Sequence, residues 1–202
     1  MDPHKLQLKI FFAADVAQGL ALDPFIPVFH RWIQERTLPE LVIDVANYAH
    51  VPEGPGVVLI GHSADYFIDQ GAGRTGLLYS RKRPGPSSAT NLSDLARRTL
   101  HAALRLESEP SLAGKLRFST SEMLLRVNDR LAAPNDSGTF AKLRPELDRW
   151  ARQMFGSPVE LAPVGGRKEL FGVRVASPEE VPLALLLDRA GGPPTPDSSL
   201  VG

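Results

Sequence analysis

The spacing of apolar and polar side chains changes period several times along the 202 residues, and each change predicts an element. Residues 6–12, LQLKIFF, alternate and then turn fully apolar, as a first strand entering a core does. Asp23-Pro24 provides a helix cap followed by proline at the first helical position. Phe25, Phe29, Trp32 and Ile33 then recur at helical spacing and form one buried stripe that ends near Arg36. Three extended segments follow: residues 41–48, a continuous run over residues 57–69 that reads as one central strand, and residues 77–83. Between the first two, Pro52 to Gly56 is a turn by composition.

Residues 84–91 break helix and strand alike and divide the chain into a β-α-β-β-β half over 1–83 and a second half over 92–190. In the second half a helix is expected from Asn91 or Ser93 to about Glu107, and a short strand over 115–119. A second helix is expected from Ser121, with Leu124, Val127 and Leu131 on one face, and a third carries Phe140, Leu143, Leu147, Trp150 and Met154 to a stop at Gly156. A hairpin is expected over 159–175 around Gly165-Gly166. Ser177 and Glu180 form a capping box for a last helix through Leu183–Leu187, and a mobile tail begins at Gly191. The sum is an α+β fold: a mixed or antiparallel sheet of about seven strands with four to five helices. The order strand–helix–strand–strand over 6–69 and again over 116–176 is compatible with two pseudo-repeated βαββ-like halves.

Charge alters this picture only locally. Lysine plus arginine equals aspartate plus glutamate at 23 each, so no global field favours nucleic acid or an acidic membrane. Residues 1–70, however, carry 4 basic and 9 acidic side chains, a net of −5, whereas residues 71–130 carry 11 and 5, a net of +6. Either these segments face each other, or the middle one presents an anion-binding face. The chain has no cysteine, which removes thiolate nucleophiles and cysteine-ligated metals. No 20-residue apolar stretch and no signal-type start are present in the sequence, so a cytoplasmic protein without a membrane span is expected.

No phosphate-loop, dinucleotide, nucleophile-elbow or HExxH motif occurs, and no organic cofactor is expected. The densest polar group is Gly61-His62-Ser63-Ala64-Asp65-Tyr66 at the end of an apolar run. His62 is a candidate general base oriented by Asp65, provided the backbone turns between them, because residues three apart in a strand point to opposite faces. Tyr66, Arg74, Tyr79 and Arg81 are candidate ligand-binding residues beside them. His30, His50 and His62 with Asp44 match no metal-binding spacing, and no metal is expected. The basic set of Arg81, Lys82, Arg83, Arg97, Arg98, Arg105, Lys115 and Arg117 lacks interleaved aromatic residues, which disfavours nucleic acid. A further polar group, Asn128, Asp129, Arg130 and Asn135, is expected on a solvent face or capping a loop.

Two functions follow. The first is a non-catalytic protein that binds a protein partner or a small anionic ligand, and it is compatible with homo-oligomers. The alternative is a cofactor-independent enzyme acting on a small anionic substrate by general acid–base chemistry at His62 and Asp65. Whether the chain is an enzyme is left open by the sequence.

Overall fold

A computed structural model describes residues 5–17, 19–83 and 91–195. Within them lie the strands β1 (Leu6–Phe12), β2 (Val42–Tyr48), β3 (Gly56–Gly61), β4 (Ala64–Asp69), β5 (Gly76–Arg81), β6 (Phe118–Val127), β7 (Glu160–Val164) and β8 (Phe171–Ala176). The helices are α1 (Ala14–Ala17), α2 (Phe25–Glu35), α3 (Asn91–Glu107), α4 (Ser137–Phe155) and α5 (Leu183–Arg189). All eight strands belong to one sheet, in the order β2-β3-β4-β5-β1-β6-β8-β7, and every neighbouring pair is antiparallel. The protein is an α+β fold.

The eighth strand arises because the run over 57–69 is a hairpin. Ile60 pairs with Asp65 and Leu59 with Tyr66, leaving His62-Ser63 as a two-residue turn. This turn lacks the Asn-Gly or Asp-Gly pair that announces a tight hairpin, so the sequence reads through it. Gly61 is required beside it, since a Cβ there would come within 2.4 Å of the Ala64 carbonyl oxygen.

The expected helix at Ser121 is instead the second half of β6. Its side chains alternate: Met123, Leu125 and Val127 join the core, while Glu122, Leu124 and Arg126 face the other way. Good helix formers are held extended because β6 is hydrogen-bonded on both sides, to β1 and to β8, and this pairing outweighs local propensity. Leu131, assigned to the same helical face, is 99% exposed.

The expected capping box does not form. Ser177 Oγ exchanges hydrogen bonds with Glu179, and α5 starts only after Pro182. By contrast, α4 begins where Asp136 accepts the Thr139 N–H at 2.8 Å, and it stops at Gly156, whose φ of 71° is left-handed.

Strand alternation sorts the sheet into two faces. Leu6, Leu8, Ile10 and Phe12 of β1, with Tyr66, Ile68, Leu77 and Tyr79 of β4 and β5, join the buried apolar residues of α2, α3, α4 and α5 in one cluster. All the long helices therefore pack on one face. Phe11, Val58, Leu78 and Leu124 are buried yet outside that cluster, on a face without a helix among the described residues. Strands of both halves share the sheet, joined at β1 and β6. Strand–helix–strand–strand order occurs on each side of this junction, but β4 and β5 are inserted in the first half alone. The expected linker over 84–91 falls, except for Asn91, outside the described residues, as do tail residues 196–202. The start of the tail is docked rather than loose, because Arg97 donates to the carbonyls of Gly192 and Pro193.

Candidate functional site

The candidate residues named from the sequence are divided among three places. His62 lies exposed in the β3–β4 turn. The backbone does turn between His62 and Asp65, but the Asp65 carboxylate accepts from the Gly61 N–H at 3.0 Å and from Lys82 Nζ at 2.7 Å. It is held by these partners and by no hydrogen bond from His62.

Tyr66, Tyr79 and Arg81 converge on the helix-facing side of the sheet, in a buried polar network under α3. The Tyr66 hydroxyl donates to Glu40 Oε2 at 2.7 Å, and Glu40 Oε1 lies 2.8 Å from Arg98 Nη1. Arg98 also reaches Asp94 at 3.1 Å, and Asp94 pairs with Arg81 at 2.5 Å. The remaining arm of Arg81 donates to Asn91. Burial, reinforced by Glu40, pushes both tyrosine hydroxyls far above their usual range, so they stay neutral. Burial opposes the charge on Arg98, yet the Glu40 carboxylate, with Asp94 adding to its pull, leads the contributions that together raise its pKa and hold the guanidinium charged. With two carboxylates facing two guanidiniums, this network is charge-balanced and clamps α3 to β4, β5 and the segment before β2.

Arg74 lies on the opposite face, where it lines a groove with a cavity volume of about 640 Å³. The groove crosses the helix-free side of β1, β6 and β8 and is closed at one end by the β7–β8 loop. Its cations are Arg74, Arg126, Arg130, Lys168 and Arg174, against two carboxylates, Glu122 and Glu169. Both carboxylates are already engaged. Glu122 pairs with Arg74 and lies 3.7 Å from Arg174, while Glu169 accepts the Gly166 N–H at 3.2 Å and shapes the loop. Arg174 is further held by Glu160 at 2.7 Å. Among the described residues, the side chains of Arg126, Arg130 and Lys168 make no ion pair or hydrogen bond.

Next to the groove, Lys9 is 1% exposed and bonds Asp69 at 2.5 Å and the Gly71 carbonyl at 3.1 Å. Burial lowers its ammonium pKa against the pull of Asp69, and Arg126 and Arg74 add to the lowering by repulsion. An adjoining cavity of about 380 Å³ shares Arg130 and Glu169 and adds Arg167.

The charge asymmetry resolves first as pairing between the two segments. Acids of the first segment meet bases of the middle one in the pairs Glu40–Arg98, Asp65–Lys82 and Asp15–Arg117. Arg126 and Arg130, from the same middle segment, are left over in the groove. The basic set around Arg81 is dispersed by these pairings rather than gathered into a patch. Sequence reasoning missed Arg126, Lys168 and Arg174. Reading residues 122–126 with a strand period would have placed Glu122, Leu124 and Arg126 on one face. No group of three or more histidine, aspartate or glutamate side chains among the described residues is placed to hold a metal ion. Nor is any helix among them long and apolar enough to cross a membrane.

No protein-family model, no curated protein and no solved structure matches the chain.

Proposed function

We propose that this is a non-catalytic binding protein whose helix-free sheet face takes up an anionic ligand. The observation that carries this reading is the charge inventory of the groove: five cations against two carboxylates, with Glu122 paired to Arg74 and three cations without an ion pair among the described residues. A cavity of this size matches the range that small-ligand sites occupy. Arginine suits such a site, since its planar fork meets carboxylate or phosphate with two parallel bonds. The acid–base alternative draws little support from the geometry, because Asp65 is bound to Lys82 and His62 stands alone in an exposed turn.

The test is calorimetric titration with pyrophosphate and citrate, on the protein and on an Arg126→Gln/Arg130→Gln variant. Removing two charged contacts is expected to weaken binding by at least about tenfold, and affinity is expected to fall as salt rises. Equal affinity in the two proteins would remove the groove from the reading.

A further inference from the structure

The cations form the rim of the groove, but its floor has a different character. Leu124 lies centrally on β6, paired with Lys9 on one side and Arg174 on the other. Phe11, Val164 and Leu170 extend the apolar surface from Leu124 toward both ends. Gly172, opposite Arg126, adds no side chain to this floor, and a Cβ there would come 2.8 Å from Val164 Cγ2. At the far end the Arg74 guanidinium carbon sits 3.8 Å from the centre of the Phe11 ring, and the Arg74 side chain is half exposed. A cation held this way against one aromatic ring can meet a second ring on its open side.

The charge is also uneven along the groove. At the Phe11 end, Arg74 and Arg174 share Glu122. The unpaired cations, Arg126, Arg130 and Lys168, belong to the other end, toward the turn after β6 and the β7–β8 loop. One region thus asks for negative charge, and the adjoining one is apolar with its charges already matched.

From this division we infer that the ligand is an amphiphilic organic anion. Its single carboxylate or phosphate head is bound by Arg126, Arg130 and Lys168, and its apolar body lies over Leu124 toward Phe11 and Arg74. The inference rests on the anion-binding reading and adds the chemistry of the body to that of the head. A purely inorganic anion uses only the cations and leaves the apolar part of the groove without a ligand. An apolar molecule without a charged head leaves three cations unanswered.

The experiment titrates the full chain with 1-naphthyl phosphate, 1-naphthoate, inorganic phosphate and neutral 1-naphthol. Covering one face of a naphthyl ring is expected to tighten binding on the order of 30-fold relative to inorganic phosphate. The phosphate and carboxylate arms identify the head that the three cations prefer. A Leu124→Thr variant, checked for an unchanged circular-dichroism spectrum, is expected to lose this preference while keeping its phosphate affinity. Inorganic phosphate binding as tightly as naphthyl phosphate would overturn the amphiphile and leave the anion reading intact. Naphthol binding as tightly as the two naphthyl anions, or none of the four binding, would overturn both.

Discussion

Glu40→Gln is the sharpest probe of how the polar network holds the sheet to α3. The Glu40 side chain is fully buried, and its two oxygens are taken by Tyr66 at 2.7 Å and Arg98 at 2.8 Å. The amide keeps the shape and an acceptor for the tyrosine hydroxyl. It cannot neutralise Arg98, whose side chain is 13% exposed and which keeps Asp94 as an ion-pair partner. Removing one partner of a buried pair costs about 3–5 kcal/mol. Because Asp94 remains, the lower end applies, about 3 kcal/mol. For a chain of this size that lowers the melting temperature by roughly 6–12 °C. Urea unfolding at neutral pH should show the same loss as a lower midpoint at unchanged slope. Tyr66→Phe should cost about 1.5–3 kcal/mol alone, as the loss of a hydrogen bond to a charged group. Since the two substitutions act on one bond, the double variant should fall short of their sum by about 1 kcal/mol. A Glu40→Gln loss below about 1 kcal/mol, or strict additivity, would refute the view that the buried Glu40 charge holds this network together.

Two further outcomes follow from single side chains. Strand β2 is an edge with exposed Ile43 and Tyr48, and Asp44 Oδ1 accepts the Val45 N–H at 2.8 Å, occupying a donor that another strand could use. Asp44→Ala is therefore expected to self-associate at concentrations where the parent chain does not. Superimposable sedimentation profiles of the two proteins would argue against a guarding role. His101 has a lowered pKa because it is buried, with Arg105 adding repulsion, and its Nδ1 makes no hydrogen bond to a described residue. The unfolded chain then binds the proton more readily than the folded one, so stability should fall as pH drops below the ordinary value of 6.5 toward the lowered one. In His101→Asn that part of the acid sensitivity should vanish, and an unchanged pH slope in urea midpoints would exclude His101 as its source.

The buried network and the groove show why the candidate site was only half legible. Tyr66, Tyr79 and Arg81 share a face by strand alternation, and β4 and β5 are adjacent. Their partners Glu40 and Arg98 come from a loop and a helix far along the chain, and no local pattern announces them. Arg74 is close to them in sequence, yet it follows a short turn that carries it to the other side of the sheet.

What the sequence determined was whatever depends on neighbours a few residues away. The stripe of Phe25, Phe29 and Trp32, the left-handed stop at Gly156 and the hairpin over 159–175 each follow from helical spacing or from glycine's conformational freedom. The α+β class follows from their order. Tertiary structure decided the rest, because strand pairing joins residues remote in sequence. Hydrogen bonds from β1 and β8 made residues 121–127 a strand and so turned Leu124 and Arg126 to the helix-free face. Pairing of Ile60 with Asp65 cut one apparent strand into two and left His62 in a turn. The groove exists only where three strands and a loop from separate parts of the chain come together.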